Sequence, residues 1–226
     1  MKNLLIISLL FFVSLCSGQN IRAIYTKTFL NLVGDNTTVP EKLKPVLSSF
    51  EYSKGKSLYK IYSSAKSSVD TVDMETQGIK HQSVHIIMQP TEETYFKDIK
   101  NNIFRKEFSD GETIYSIKDK LEVLNWKLTN ETATIKGYKC KKATTVVVSK
   151  YLNREFPAYA WYCEDIPVND GPAFYWGLPG LIIEVNMDNK YAISLTDLKI
   201  VKEDIDVKEP VNRTEMITRA ELEKRW

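Results

Sequence analysis

Trp176-Gly177-Leu178-Pro179-Gly180-Leu181-Ile182-Ile183-Glu184-Val185 joins an aromatic loop to an apolar strand. Pro179 holds its own φ at about −65° and pushes Leu178 towards extended geometry. Pro-Gly is the favoured centre of a type II turn, which predicts a positive φ at Gly180. Leu181 to Val185 is short, apolar and β-branched, the composition of a buried or half-buried strand. Upstream, Asp170-Gly171-Pro172 marks a second turn. Phe174, Tyr175 and Trp176 lie between the turns and need a surface to cover. A phosphate-cradling loop would require a Lys-Ser/Thr ending and a following helix, and neither is present.

Outward from this stretch the chain reads as strands. Ile21 to Leu32 alternates, with Ile24, Thr26 and Thr28 on one side and Tyr25, Lys27 and Phe29 on the other. Phe50 to Tyr62 is a strand kinked or turned at Lys54-Gly55, and Pro40 to Ser49 is a short helix or irregular. Ser63 to Gly78, rich in Ser, Thr and Asp, is expected to be an exposed, mobile excursion. Val84–Gln89, Glu93–Lys100, Ile103–Phe108, Thr113–Ile117, Val123–Leu128 and Thr132–Ile135 follow at short spacing, then a hairpin over 139–163 and a strand over 191–201. Strands at this spacing without intervening helices predict a mainly β fold: a strongly curled antiparallel meander sheet or open barrel. Thr218-Arg219-Ala220-Glu221 matches a capping box and predicts one short C-terminal helix.

The chain has 226 residues, 43% hydrophobic and 27% charged, and a formal charge of +2. These values fit one soluble domain and argue against nucleic acid as the main partner. Met1-Lys2, the apolar run from Leu4 to Leu15 and the small residues before Gln19 predict a signal peptide over 1–18 and a single domain over 19–226. The expected location is the periplasm or the exterior. Cys16 follows Leu15, a poor match to lipoprotein processing. No later run is long enough to span a membrane as a helix. Cys140 and Cys163 remain after removal of the leader. An even pair at opposite positions of a hairpin predicts a disulfide, worth about 3 kcal/mol on the chain-entropy argument.

The run Gly177-Leu178-Pro179-Gly180-Leu181-Ile182 resembles the signature of the GLPGLI family of exported Bacteroidetes-type proteins. Gly137-Tyr138-Lys139-Cys140-Lys141-Lys142-Ala143, Ala160-Trp161-Tyr162, Ile166-Pro167 and Asp170-Gly171-Pro172 are similar to the family's pattern in the same order. The resemblance implies an exported β-rich protein and no particular reaction.

Chemistry-bearing residues are few. His81 and His85 are the only histidines and lack further ligands at metal spacing, so no metal or other cofactor is expected. Glu164, Asp165 and Asp170 flank the aromatic turn and are candidates for acid–base work, with turn capping the plainer reading. Lys136, Lys139, Lys141, Lys142, Lys150 and Arg154 make a basic stretch whose plainer role is to protect a sheet edge. Asp70-Thr71-Val72 resembles a bacterial O-glycosylation acceptor, and Asn36, Asn130 and Asn212 open Asn-x-Ser/Thr sequons. The leading expectation is a non-enzymatic envelope module that binds a lipid, a peptide or an outer-membrane partner. Its binding residues would be Trp161, Phe174, Tyr175, Trp176, Gly177, Leu178, Pro179 and Gly180. The alternatives are a hydrolase with a carboxylate pair near the turn, or a structural assembly component.

Overall fold

The computed structural model describes residues 19–225 apart from 31–43, 63–67, 77–78, 88–90 and 150–151, and of 68–87 it describes the backbone alone. The expected leader, Cys16 and Asn36 lie outside the described residues. Fourteen strands and one helix follow in order. They are β1 (Asn20–Phe29), β2 (Val46–Ser53), β3 (Lys56–Ile61), β4 (Ser68–Thr76), β5 (Ile79–Ile87), β6 (Glu93–Asp98), β7 (Ile103–Ser109), β8 (Ile114–Asp119), β9 (Lys127–Ile135), β10 (Tyr138–Ser149), β11 (Arg154–Cys163), β12 (Leu181–Met187), β13 (Tyr191–Val201), β14 (Met216–Ile217) and α1 (Arg219–Glu223). Twelve strands form one curled, unclosed sheet in the order β14-β8-β7-β6-β3-β2-β1-β13-β12-β11-β10-β9. All ladders are antiparallel except the short β14–β8 pair. The predicted capping box is present: the Thr218 hydroxyl accepts from the Glu221 N–H, and the Glu221 carboxylate accepts from the Thr218 N–H.

Two local expectations change and a third is resolved. Residues 46–49 are not helical but open β2, where Val46 and Ser48 point inward on the parity that buries Phe50. Of the kink or tight turn expected at Lys54-Gly55 the structure has the turn, at φ 53° and 85°, which makes residues 50–61 a hairpin and not one bent strand. Ser68–Thr76, expected as a mobile excursion, pairs along its length with β5 as a separate two-stranded ribbon. The Asp70-Thr71-Val72 segment, His81 and His85 lie in that ribbon. β3 pairs directly with β6, so the main sheet continues past the ribbon without a gap.

The sheet buries its concave face against the 164–180 segment, and the core runs through both. Tyr25, Phe50, Tyr59 and Tyr95 from the sheet meet Ile166, Val168, Tyr175 and Leu178 from the segment. The sheet aromatics stack edge-to-face in succession, Phe50–Tyr25–Tyr59–Tyr95–Phe104. A smaller cluster of Phe96, Ile205 and Val207 shows that the chain after β13 crosses the back of β6. There Arg105 Nη1 donates to the Pro210 carbonyl and pairs with Glu209.

Cys140 and Cys163 are both buried and are free thiols, in place of the expected bridge. The ladder pairs Lys141 with Tyr162, which leaves the two cysteines at the next cross-strand position, as the hairpin predicts. Burial, then the neighbouring Cys163, pushes the Cys140 thiol up to about 11. A thiol that stays protonated near neutral pH is a poor nucleophile for disulfide exchange.

Candidate functional site

The aromatic turn is packed rather than presented. Tyr175 and Leu178 are fully buried, Trp176 is half-buried, and its indole N–H donates to the Glu122 carbonyl at 2.8 Å. Trp126 Nε1 donates to the Trp176 carbonyl at 2.9 Å, which holds the loop from the other side. Phe174 stacks on Tyr175 at 4.3 Å between ring centroids. Trp161 is half-buried against the edge of the core and lies beneath the Lys142 ammonium. The type II turn expected at Pro179-Gly180 is absent: the Gly180 N–H bonds the Leu178 carbonyl at 2.8 Å, a three-residue turn centred on Pro179. The positive φ belongs to Gly177, at 93°. Gly180 is required for another reason, since a Cβ there would stand 2.2 Å from the Cys163 carbonyl oxygen.

The three carboxylates considered for catalysis do not converge. Glu164 is exposed and pairs with Lys141 at 2.8 Å. It lines, with Asp165 and Cys140, a groove of about 540 Å³ beside β9 and β10. Asp170 points the other way and is fully buried against Lys97 of β6, at 2.5 Å. Lys97 Nζ also donates to the carbonyls of Gly171 and Tyr175. A lysine buried completely, with three oxygen partners from one loop, fastens that loop to the sheet. Burial lowers the Lys97 pKa, and Asp170 opposes the shift. The basic stretch is also paired at Lys142–Glu131 and Arg154–Asp188, which fits a solvated sheet surface.

A different constellation lies on the concave face, at the opposite ends of the strands. Lys27 and Phe29 end β1, Tyr191 opens β13 opposite Phe29, Glu93 opens β6, and Lys106 and Phe108 lie near the end of β7. Lys106 pairs with Glu93 at 3.2 Å, with side chains 25% and 21% exposed. The Tyr95 hydroxyl donates a short hydrogen bond to the same Glu93 oxygen. Each ammonium stands over two rings: Lys27 over Tyr191 and Phe29 at 4.6 and 5.4 Å, Lys106 over Phe108 and Tyr95 at 4.4 and 5.2 Å. The Tyr175 and Tyr191 hydroxyls, 3.2 Å apart, form the floor.

Curvature makes this cluster. β1 and β6 are separated by β2 and β3, about 14 Å in a flat sheet. Yet the Lys27 and Glu93 charges influence one another's titration. Burial lowers the Lys27 pKa, Glu93 opposes the change, and Lys106 adds to it. Burial pushes the Glu93 carboxyl up, but Lys106, the Tyr95 hydroxyl and Lys27 together outweigh it and hold Glu93 below the usual carboxylate range. Tyr191 is pushed up to about 12 by burial. At neutral pH the cluster therefore offers an ionised acceptor, ammonium donors, phenol hydroxyls and apolar ring faces. Among the described residues no group of three His, Cys, Asp or Glu could hold a metal ion.

None of Lys27, Glu93, Lys97 or Lys106 stands out in the sequence as a motif. The signal is a charge at an inward position of an aromatic strand: Lys27 between Tyr25 and Phe29, Lys106 between Phe104 and Phe108, Glu93 and Lys97 either side of Tyr95.

Residues 48–220 match the family described as N-glycanase peptide, N-terminal domain. The chain belongs to that family. Two solved structures of PNGF-II, in the P21 and C2 crystal forms, share the fold. Both are 19% identical, with TM-scores of 0.55 and 0.52, and the matches cover 91% and 92% of this chain. The chain spans about a third of their length, 32% in each case. No functionally curated protein matches. Membership in the N-glycanase N-terminal domain family overturns the resemblance to GLPGLI proteins. The Gly-Leu-Pro-Gly-Leu-Ile run reports a local demand, a three-residue turn whose last glycine crosses a strand carbonyl, and not a lineage. The same match overturns the non-enzymatic lipid, peptide or outer-membrane module, since the family is that of N-terminal domains of N-glycanases. No described helix is long and apolar enough to cross a membrane.

Proposed function

We propose that this chain takes part in the hydrolysis of N-linked glycans as the N-terminal domain of an N-glycanase-type protein, and that the concave-face cluster meets the glycan. The observation that carries the reading is the family match across residues 48–220, which includes the strands that carry Glu93, Lys106, Phe108 and Tyr191, with Lys27 and Phe29 on the preceding β1. The chemistry of the cluster is suited to sugars. Ring faces of Phe29, Phe108 and Tyr191 accept the apolar side of a pyranose, while Glu93 and the ammonium groups bond hydroxyls. Glu93, ionised at neutral pH, accepts protons rather than donating them. Its part in hydrolysis is to orient a hydroxyl or a water. The apolar N-terminal run supports an exported location, where glycoproteins are met.

The test is incubation of the full chain with a denatured N-glycosylated protein, followed by mass spectrometry of the substrate and of the material retained on the chain. Loss of glycan mass, or preferential retention of glycosylated over deglycosylated peptide, is the expected result. Glu93→Gln should reduce either by at least about tenfold, the scale of one charge-assisted hydrogen bond. Neither release nor preferential retention would refute the reading.

A further inference from the structure

The concave-face cluster carries an imbalance of charge. Lys106 has its carboxylate, Glu93, at 3.2 Å. Lys27 has none within ion-pair distance among the described residues, although it is half-buried. An ammonium removed from water and left without a direct counter-ion is costly. Here two ring faces stabilise it in part, and the second ammonium nearby raises the local positive potential. An anion placed at Lys27 would supply the missing charge. The surrounding Phe29, Tyr191 and Tyr175 hydroxyl determine what else that anion carries: an apolar ring face and hydroxyl groups.

We propose that Lys27, flanked by Phe29 and Tyr191, forms a subsite for a carboxylate-bearing sugar, so that the domain prefers acidic over neutral N-glycans. The inference rests on the glycan reading above and names its substrate class. The sugar carboxylate accepts from Lys27 Nζ, the apolar face of the ring lies on Phe29 or Tyr191, and Lys106 remains with Glu93. No covalent step is involved.

The experiment is isothermal titration calorimetry of the full chain at low salt. The probes are a biantennary N-glycan ending in N-acetylneuraminic acid, the same glycan after removal of that acid, and inorganic phosphate. The acidic glycan should bind about tenfold tighter than its neutral form, and the difference should shrink as salt is raised. Lys27→Met keeps the apolar stem over the rings and should abolish the preference, weakening acidic-glycan binding far more than neutral-glycan binding. Lys27→Arg should restore most of it. A thermal melt of each variant separates loss of the subsite from loss of the fold. Equal affinity for both glycans would overturn the acidic subsite and leave the glycan reading standing. Phosphate binding without glycan binding would show a bare anion site and overturn the proposal. Binding of neither glycan would overturn the subsite and the function it rests on together.

Discussion

Two lysine–carboxylate pairs lie on the same aromatic concave face, at opposite ends of the strands, and differ chiefly in access. Lys97–Asp170 is sealed, with both side chains fully buried and the remaining ammonium donors spent on loop carbonyls. Lys106–Glu93 is about one-fifth to one-quarter exposed and has beside it the Lys27 ammonium, which has no carboxylate within ion-pair distance among the described residues. A sealed pair has no room for a ligand, so its contribution is to hold the 164–180 segment against the sheet. A half-open pair with surplus charge can exchange partners.

The largest effect should come from the sealed pair. Lys97→Met leaves Asp170 as an uncompensated buried charge and should cost about 3–5 kcal/mol in urea unfolding. Lys97→Met combined with Asp170→Asn should recover much of that loss; if it does not, the pair is more than a mutual neutralisation. Next is Gly180→Ala, whose Cβ would strike the Cys163 carbonyl at 2.2 Å; overpacking of this kind costs about 1–3 kcal/mol. Tyr25→Phe removes the 2.8 Å hydrogen bond to the Ile182 carbonyl beneath the loop and should cost about 1–2 kcal/mol by thermal or urea melt. These substitutions test the sealed end and should leave Lys27-dependent binding intact where the fold survives.

The smallest effect concerns the open end and appears as a pH profile. Glu93 is held below its unfolded value of 4.5. Its stabilising contribution is therefore present above about that pH and is lost as pH falls through the lower folded value. Glu93→Gln should flatten this part of the acid limb of the stability curve by lowering the neutral-pH melt by the contribution that wild type loses in acid. A variant with the wild-type acid limb would show that Glu93 titrates as it does in the unfolded chain.

Strand identity was largely readable from alternation. Tyr25, Lys27 and Phe29 alternate onto one side of β1, Tyr59 and Ile61 onto the same side of β3, and the hairpin register of Cys140 and Cys163 follows from turn placement. What alternation could not show is which strands meet across the curl. Lys27 and Glu93 are neighbours in charge only because β2 and β3 bend between them, and no local pattern encodes that bend. Lys97 was hidden for a related reason: its partners belong to a loop more than seventy residues later. The aromatic loop drew attention because side chains that need burial look, in sequence, like side chains offered for binding. Here the Lys97 clamp and the Trp126 indole had already buried them. Residues 46–49 illustrate a smaller failure, in which Pro45 suggested an interrupted helix but only marks the entry to a strand.

The strand order has a kinetic consequence. β1 to β8 form one meander and β9 to β13 another, each assembled from pairings between near neighbours apart from the bypassed ribbon. A single seam, β1 against β13, joins them and pairs Asn20 with Val201. That seam cannot zip until nearly the whole chain has been synthesised, and closing so long a loop is entropically slow. Until then the free edges of β1 and β13, each ten or more residues long, can template on other chains. The nascent protein is therefore most exposed to misassembly at the seam that later becomes the centre of its sheet.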